Sequence, residues 1–147
     1  MRKYEQFVKA LNNLKEGIKK EPPYSVLEQT GIVGLFEICF ELSWRAMKEV
    51  LELHSRHPDR IASPRTIIKL AYQYDIINDE EAWIEIQKTR NLLAHTYSDS
   101  DALATIEKVK EKYCSLFGEL QKEIEENWLV GDEGLGSKEN KESESDE

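Results

Sequence analysis

The feature that most constrains this chain is a helical spacing of apolar residues that recurs from one end to the other. Separate stripes of apolar residues at intervals of three and four lie between Phe7 and Ile124, and no stretch alternates with the period of two typical of a half-buried strand. Prolines at Pro22-Pro23 and Pro58 separate the stripes, because proline interrupts helical backbone. The pattern predicts an all-α fold.

Five helices account for these stripes. Ser63-Pro64 opens the third, over roughly residues 64–74, because a serine oxygen accepts from free helix amides and proline suits the first turn. Asn78 or Asp79 caps the fourth. The core stripes of the first, second and fifth helices are Phe7, Leu11, Leu14 and Ile18; Ile32, Leu35, Phe36, Cys39, Leu42, Ala46 and Val50; and Ala102, Ile106, Val109, Tyr113, Phe117, Leu120 and Ile124. Four long helices and a shorter one predict an antiparallel, up-and-down four-helix bundle with an additional short helix.

The second helix is apolar nearly all round. Ile38, Phe40, Trp44, Met47 and Leu51 lie on faces other than its main stripe. Such a helix is either central in its bundle or shares a face with another subunit. The second alternative predicts a homodimer or higher homo-oligomer in which this helix is a self-complementary interface.

Charge divides the chain into two parts. Seven acidic residues and two lysines give residues 131–147 a net charge of −5, against −9 for all 147 residues. This stretch has one apolar side chain, Leu135, and cannot bury enough surface to offset its ordering entropy. We expect a helical domain over residues 1–130 and a disordered acidic tail over residues 131–147. The negative charge excludes a globally basic nucleic-acid binder, although a local basic site is compatible with it.

Apolar runs and cysteines indicate the compartment. No apolar run approaches the ~20 residues that span a membrane, and residues 1–6 lack the apolar stretch of a signal peptide. Cys39 and Cys114 lie on apolar stripes and are predicted to be buried free thiols, neither a disulfide nor a zinc site. The expectation is a cytoplasmic protein with no membrane partner, no metal and no cofactor.

Residues 89–98, between the fourth and fifth helices, concentrate the polar side chains suited to chemistry. Asn91 and His95 are neighbours one helical turn apart, whereas Arg90 and His95 are not aligned. Either the helix ends near Ala94 and the chain folds back, or the long side chain of Arg90 reaches around; Tyr97 lies close in both cases. The set suits a phosphodiester, because arginine holds anionic oxygens in a planar fork and histidine moves protons near neutral pH.

Structural roles compete with this interpretation. Arg90 would then only pair with a carboxylate, and His95 with Tyr97 would cap the junction between helices. On the second helix, Trp44 is either a base-stacking residue or a bundle tryptophan, and Glu41 on the same face is a possible partner for an arginine near the motif. Two further histidines, His54 and His57, are expected to lie exposed to solvent at the C-terminal end of that helix, where a positive charge suits the helix dipole.

Four blocks of sequence carry a family resemblance. They are residues 36–45 (FEICFELSWR), residues 63–71 (SPRTIIKLA), Trp83, and residues 90–97 (RNLLAHTY), the last with an R-x4-H-x-Y signature. In this order they resemble the HEPN superfamily, and more narrowly its HepT-like, nucleotidyltransferase substrate-binding proteins. The likeness extends over nearly all of residues 1–125.

The resemblance implies a fold, an activity and a partner. The implied fold is a helical bundle that dimerises, with the Arg/His segments of two subunits lining a shared cleft. The implied activity is that of a toxin, a metal-independent endoribonuclease with RNA as substrate. The implied partner is an MntA-like minimal nucleotidyltransferase, the antitoxin of the pair, which would neutralise the toxin by transferring AMP to the motif tyrosine, here Tyr97.

Residues and resemblance together give each side chain a hypothetical role. Arg90 stabilises phosphate charge, His95 is general acid or base, Asn91 positions the substrate, and Tyr97 donates a hydrogen bond and is the regulatory residue. A symmetric dimer would supply a second histidine. Two alternatives remain: a non-catalytic subunit that binds substrate or nucleotide for the nucleotidyltransferase, and a homodimer used only for assembly, against which the intact motif argues.

Overall fold

The computed structural model describes residues 1–54, 56 and 62–129, so the predicted tail and His57 lie outside the described residues. Within these ranges the chain is helical and no strand is present. The helices are α1 (Arg2–Gly17), α2 (Val26–Leu53), α3 (Pro64–Gln73), α4 (Glu80–His95), α5 (Asp99–Lys108) and α6 (Cys114–Asn127), and the π-helical turn Val109–Tyr113 joins α5 to α6. The predicted all-α fold is confirmed, and the predicted fifth helix corresponds to α5, the π turn and α6 together.

Side-chain caps fix where α2, α3 and α4 begin. Ser25 forms a capping box with Glu28, in which the Ser25 hydroxyl accepts from the Glu28 amide at 3.1 Å and the Glu28 carboxylate accepts from the Ser25 amide at 2.8 Å. Ser63 caps α3 as predicted, accepting from the Thr66 amide at 3.2 Å. Of the two candidates for α4, Asp79 is the cap.

Helix α2 is the centre of the bundle and packs against each of the other helices. Its end lies beside the start of α1, where the Lys3 and Tyr4 amides donate to the Glu49 carboxylate at 3.1 and 3.0 Å. These amides have no partner within their own helix, so the carboxylate both caps α1 and holds it antiparallel to α2. The central position predicted for α2 is confirmed, and its role as a subunit interface stays a prediction.

Aromatic rings from five parts of the chain meet in the core. Phe117 of α6 contacts Phe7 of α1, Phe36 of α2 and Trp83 of α4, with ring centroids 6.3, 6.4 and 5.6 Å apart. Tyr113 of the π turn stacks on Phe36 at 5.8 Å. These rings fix α4 against α2 and α6, and so determine which way the end of α4 faces. None of the helices in the described ranges combines the length and hydropathy needed to cross a bilayer.

Candidate functional site

The candidate site lies where α4 gives way to α5. Helix α4 continues to His95, and the Thr96 amide closes its end by donating to the Leu92 carbonyl at 2.9 Å. Ser98 then caps α5, accepting from the Asp101 amide at 3.2 Å. Of the two alternatives, the structure shows the first: the helix ends within one residue of Ala94, and the chain turns back after a short connection.

Arg90 faces from α4 toward α2, where a carboxylate meets it. Its Nη2 lies 3.6 Å from Glu41 Oε1, and 34% of the arginine side chain stays exposed. Glu41 also accepts from Arg45 Nε at 2.8 Å and from Trp44 Nε1 at 3.3 Å. One carboxylate therefore orients two guanidinium groups, and the expected pairing of Glu41 with an arginine of the motif is confirmed.

Asn91 and His95 lie one turn apart on the exposed face of α4. Neither side chain has a hydrogen bond or an ion pair with any other described residue. Arg90 is rotated about 100° around the helix axis from Asn91. The structure therefore places the amide and the imidazole on one open face, with the guanidinium at the edge where α4 meets α2.

Tyr97 lies in the connection after α4, and 48% of its surface is exposed. Its hydroxyl lies 3.5 Å from Gln29 Nε2, which donates to it and also donates to Asp99 Oδ1 at 3.1 Å. Gln29 is a buried residue of α2, so its side-chain amide is held in place and orients the Tyr97 hydroxyl. Sequence reasoning missed Gln29, although a polar residue one turn before Ile32 on an otherwise apolar face was a usable signal.

A second polar cluster lies between α4 and the π turn and is centred on buried Tyr113. The Tyr113 phenol donates to Glu85 Oε2 at 2.7 Å and lies 2.9 Å from the Thr89 hydroxyl, while Lys112 pairs with Glu85 at 2.9 Å. The hydrogen bonds from Tyr113 and then Lys112 lower the pKa of Glu85, and burial together with Glu85 raises the pKa of Tyr113. The helical spacing correctly predicts that Tyr113 is buried, but it signals neither the π turn nor the contact of the phenol with Glu85.

Trp44 and His54 have structural surroundings. Trp44 is 6% exposed, and the Arg45 guanidinium lies 4.7 Å from the centroid of its ring. Of its two alternative roles, base stacking and packing in the bundle, these surroundings support packing. His54 does not decorate a solvated helix end: its Nε2 lies 2.9 Å from the Trp128 carbonyl, and the two rings meet edge to face. The reason is that α6 extends far enough for the residue after it to cover the end of α2.

The two cysteines are free thiols, as predicted, with Cys39 buried and Cys114 half-buried. Burial raises the pKa of both thiols, which keeps them protonated and poor nucleophiles. Among residues 1–54, 56 and 62–129, no group of three or more His, Cys, Asp or Glu side chains is arranged to hold a metal ion.

The side chains at the end of α4 are suited to binding a phosphodiester and to transferring a proton. A guanidinium with free N–H donors binds the non-bridging oxygens of a phosphodiester, and an exposed imidazole accepts or donates a proton. The amide of Asn91 adds a donor and an acceptor on the same face as His95. The described part of each chain offers one such imidazole, so a reaction with two proton transfers needs either a solvent partner or a second chain.

Comparisons with known proteins show what the whole chain is similar to. A family model described as "Nucleotidyltransferase substrate binding protein like" matches residues 2–126. A Haemophilus influenzae protein named "Probable ribonuclease HepT" is 28% identical over 92 residues, which are 59% of this chain and 63% of that relative. The chain therefore spans somewhat less than two thirds of the relative's length.

A crystal structure of a Thermus thermophilus protein superposes with a TM-score of 0.68 at 31% identity, over 79% of this chain and 96% of that one. The family model covers nearly the whole helical domain and contains all four blocks that carried the resemblance. The chain therefore belongs to the HepT-like, nucleotidyltransferase substrate-binding family of HEPN proteins.

Proposed function

We propose that this protein is a metal-independent endoribonuclease, the toxin of a HepT/MntA-type toxin–antitoxin pair. The observation that carries the proposal is the geometry at the end of α4, where Glu41 holds Arg90 while Asn91 and His95 stand on an open face. The name of the Haemophilus influenzae relative, a probable ribonuclease, supports the same activity.

The proposed reaction is cleavage of RNA through its own 2′-hydroxyl. A base takes the 2′-hydroxyl proton, the 2′ oxygen attacks phosphorus, and an acid protonates the departing 5′ oxygen, which yields a 2′,3′-cyclic phosphate and a 5′-hydroxyl end. His95 serves as base or acid, and Arg90 stabilises the charge of the pentacoordinate phosphate. Asn91 and the Tyr97 hydroxyl position the phosphate by hydrogen bonds.

A second copy of the chain supplies the second histidine in this proposal. The outer face of α2 carries Leu27, Gly31, Gly34, Ile38 and Leu42 at spacings of four, three, four and four, with Ile38 53% exposed. A side chain added at either glycine would meet nothing within 4 Å, so a helix of the partner has room to approach closely. An apolar groove of about 230 Å³ beside Ile38 and Leu42 adds to this face.

This outer face of α2 also leads directly to the site. Glu41 and Arg45 continue the spacing after Ile38 by three and four residues, and Glu41 is the partner of Arg90. A symmetric contact along α2 would therefore bring the two Arg90 side chains to the edges of one shared cleft. The homodimer is thus part of the proposed mechanism and not only an assembly.

Regulation in this proposal acts on Tyr97. Its phenol is half exposed at the surface, which gives a minimal nucleotidyltransferase access to transfer AMP to it. The added phosphate and nucleoside would occupy the open face next to His95 and repel a phosphodiester. The family description, which names nucleotidyltransferase substrate binding, supports an enzyme of this class as the partner.

The same family description favours a second candidate function. In it the protein is a non-catalytic subunit that binds a substrate or nucleotide for the nucleotidyltransferase, with Arg90 and Asn91 holding a phosphate. A binding site of this kind uses the same residues as the ribonuclease. Only a measurement of activity separates the two.

The deciding experiment incubates the purified protein with mixed transfer and messenger RNA in EDTA, beside His95→Ala. His54→Ala is the matched control, because it removes an imidazole that contacts Trp128 and not the motif. The proposal expects cleavage by the parent and by His54→Ala, with cyclic phosphate ends, and none by His95→Ala. Intact RNA with a parent shown by mass to be unmodified would overturn the ribonuclease and favour the binding subunit.

A further inference from the structure

A groove of about 380 Å³ between α3 and α4 lies outside the motif. Its lining residues are Arg65, Lys69, Glu80, Glu81, Ile84, Glu85 and Lys88. Three cations and three carboxylates line it around one apolar side chain. The charge that the groove offers to a ligand therefore depends on which of these groups already form ion pairs within the protein.

The groove is continuous with the motif along a single face of α4. Ile84, Lys88, Asn91 and His95 follow one another at spacings of four, three and four, which places them in one row on the helix. At 1.5 Å per residue, Lys88 lies about 10 Å along the axis from His95. A strand that passes the imidazole and follows α4 therefore enters this groove.

The acidic residues of the groove are largely engaged by protein cations. Glu80 pairs with Lys69 at 3.3 Å, and Glu85 is held by Lys112 and by the Tyr113 phenol. Glu81, in the first turn of α4, has no partner in the described part of the chain. It lies two turns further from His95 than Lys88 does.

The cations on the motif side have no ion-pair partner among the described residues. Arg65 and Lys88 are exposed and have no ion pair with any described residue. Helices α3 and α4 are antiparallel neighbours, as the Lys69–Glu80 pair shows, so Arg65 lies one turn closer to the motif than Lys69 does. The end of the groove nearest His95 therefore presents two positive charges that have no partner among the described residues, and the apolar side chain of Ile84 lines the same groove.

We infer that this groove binds the phosphodiester backbone of the RNA strand flanking the cleavage site, with Arg65 and Lys88 each contacting a phosphate. The inference rests on the proposed ribonuclease function, since it assigns a path to that enzyme's substrate. Backbone contacts of this kind carry no sequence preference and strengthen binding in proportion to strand length. The protein then prefers a polymer to a dinucleotide.

The test measures binding in the cleavage-inactive His95→Ala background, so that it does not depend on catalysis. The probe is a fluorescent single-stranded RNA of about 12 nucleotides, titrated at several salt concentrations. Arg65→Ala/Lys88→Ala is compared with Lys15→Ala/Lys122→Ala, an equal loss of charge in a different groove, between α1 and α6. Because one phosphate contact contributes about 0.7 to the slope of log K against log salt in single strands, the first pair should reduce that slope by about 1.4.

Two results would overturn the inference. One is an equal change in the slope of log K against log salt in both double variants, because the loss of any two positive charges would then explain it. The other is the absence of RNA binding by the His95→Ala protein. If the parent does not cleave RNA but its His95→Ala form binds RNA through Arg65 and Lys88, the proposed ribonuclease activity is wrong and the proposed binding groove stands. In an active parent, Arg65→Ala/Lys88→Ala should raise KM for the long RNA and leave cleavage of a dinucleotide unchanged.

Discussion

Glu41 is the residue on which the orientation of Arg90 depends. It lies between Arg90, Arg45 and Trp44, so its two oxygens set where the arginine of the motif can point. Both members of the Arg90–Glu41 pair are about one third exposed, with 34% and 31% of their side chains accessible. Water therefore screens the pair, and we assign it no more than about 1 kcal/mol.

Glu41→Gln should slow RNA cleavage by about fivefold, which is the rate equivalent of about 1 kcal/mol. The loss should fall on kcat, because the substitution misplaces a charge that acts on the transition state in the proposed mechanism. Arg90→Lys should cost more, since a lysine cannot contact a carboxylate and a phosphate through a planar fork. Glu37→Gln, one turn earlier on α2, is the matched control, and an equal effect of both glutamines would contradict the role of Glu41.

At the scale of helices, the contact between α4 and the π turn depends on the charge of Glu85. The lowered pKa of Glu85 means that folding favours its ionised form, mainly through the Tyr113 hydrogen bond and then through Lys112. A group whose pKa is lowered in the fold stabilises the fold fully above its ordinary pKa, about 4.3 for glutamate. This contribution disappears as the pH falls through the lowered value.

Glu85→Gln should therefore lower the free energy of unfolding at pH 7, and its difference from the parent should shrink as the pH falls below about 4. Tyr113→Phe should cost about 1 kcal/mol at pH 7, because it removes a buried hydrogen bond. Urea unfolding at both pH values measures these differences. Glu119→Gln, inside α6 and without a described partner, should match the parent throughout. A Glu85→Gln deficit that persists undiminished in acid would contradict the stabilising role of the Glu85 charge.

The same helices show how far the sequence could predict the structure. Stripe spacing and caps such as Ser63 and Asp79 are local signals, so the positions of the helices followed from them. The direction of Arg90 and the link from Gln29 to Tyr97 depend on residues distant in the chain, which spacing does not report. The pairing with Glu41 was expected only because the two residue types suit each other, and the acidic tail stays a prediction.

At the scale of the whole molecule, the proposed dimer explains why α2 exposes apolar side chains. Ile38→Asp should place a charge in the centre of the outer face of α2 and produce a monomer, measured by light scattering after size exclusion. Cleavage should fall with dimerisation, because the shared cleft is lost. Tyr72→Asp is the control, since Tyr72 is exposed to a similar extent, 46% against 53% for Ile38, but lies on α3. A fully active Ile38→Asp monomer would separate catalysis from dimerisation.

A mixing experiment tests whether the two copies act together on one phosphate. If one His95 takes the proton and the partner copy's histidine gives it, only dimers of two parent chains contain both groups. Parent and His95→Ala chains that exchange freely should then cleave RNA in proportion to the square of the parent fraction. An equal mixture would keep about one quarter of the activity, against about one half if each chain worked alone. A linear dependence would assign the second proton transfer to solvent or to another residue of the same chain.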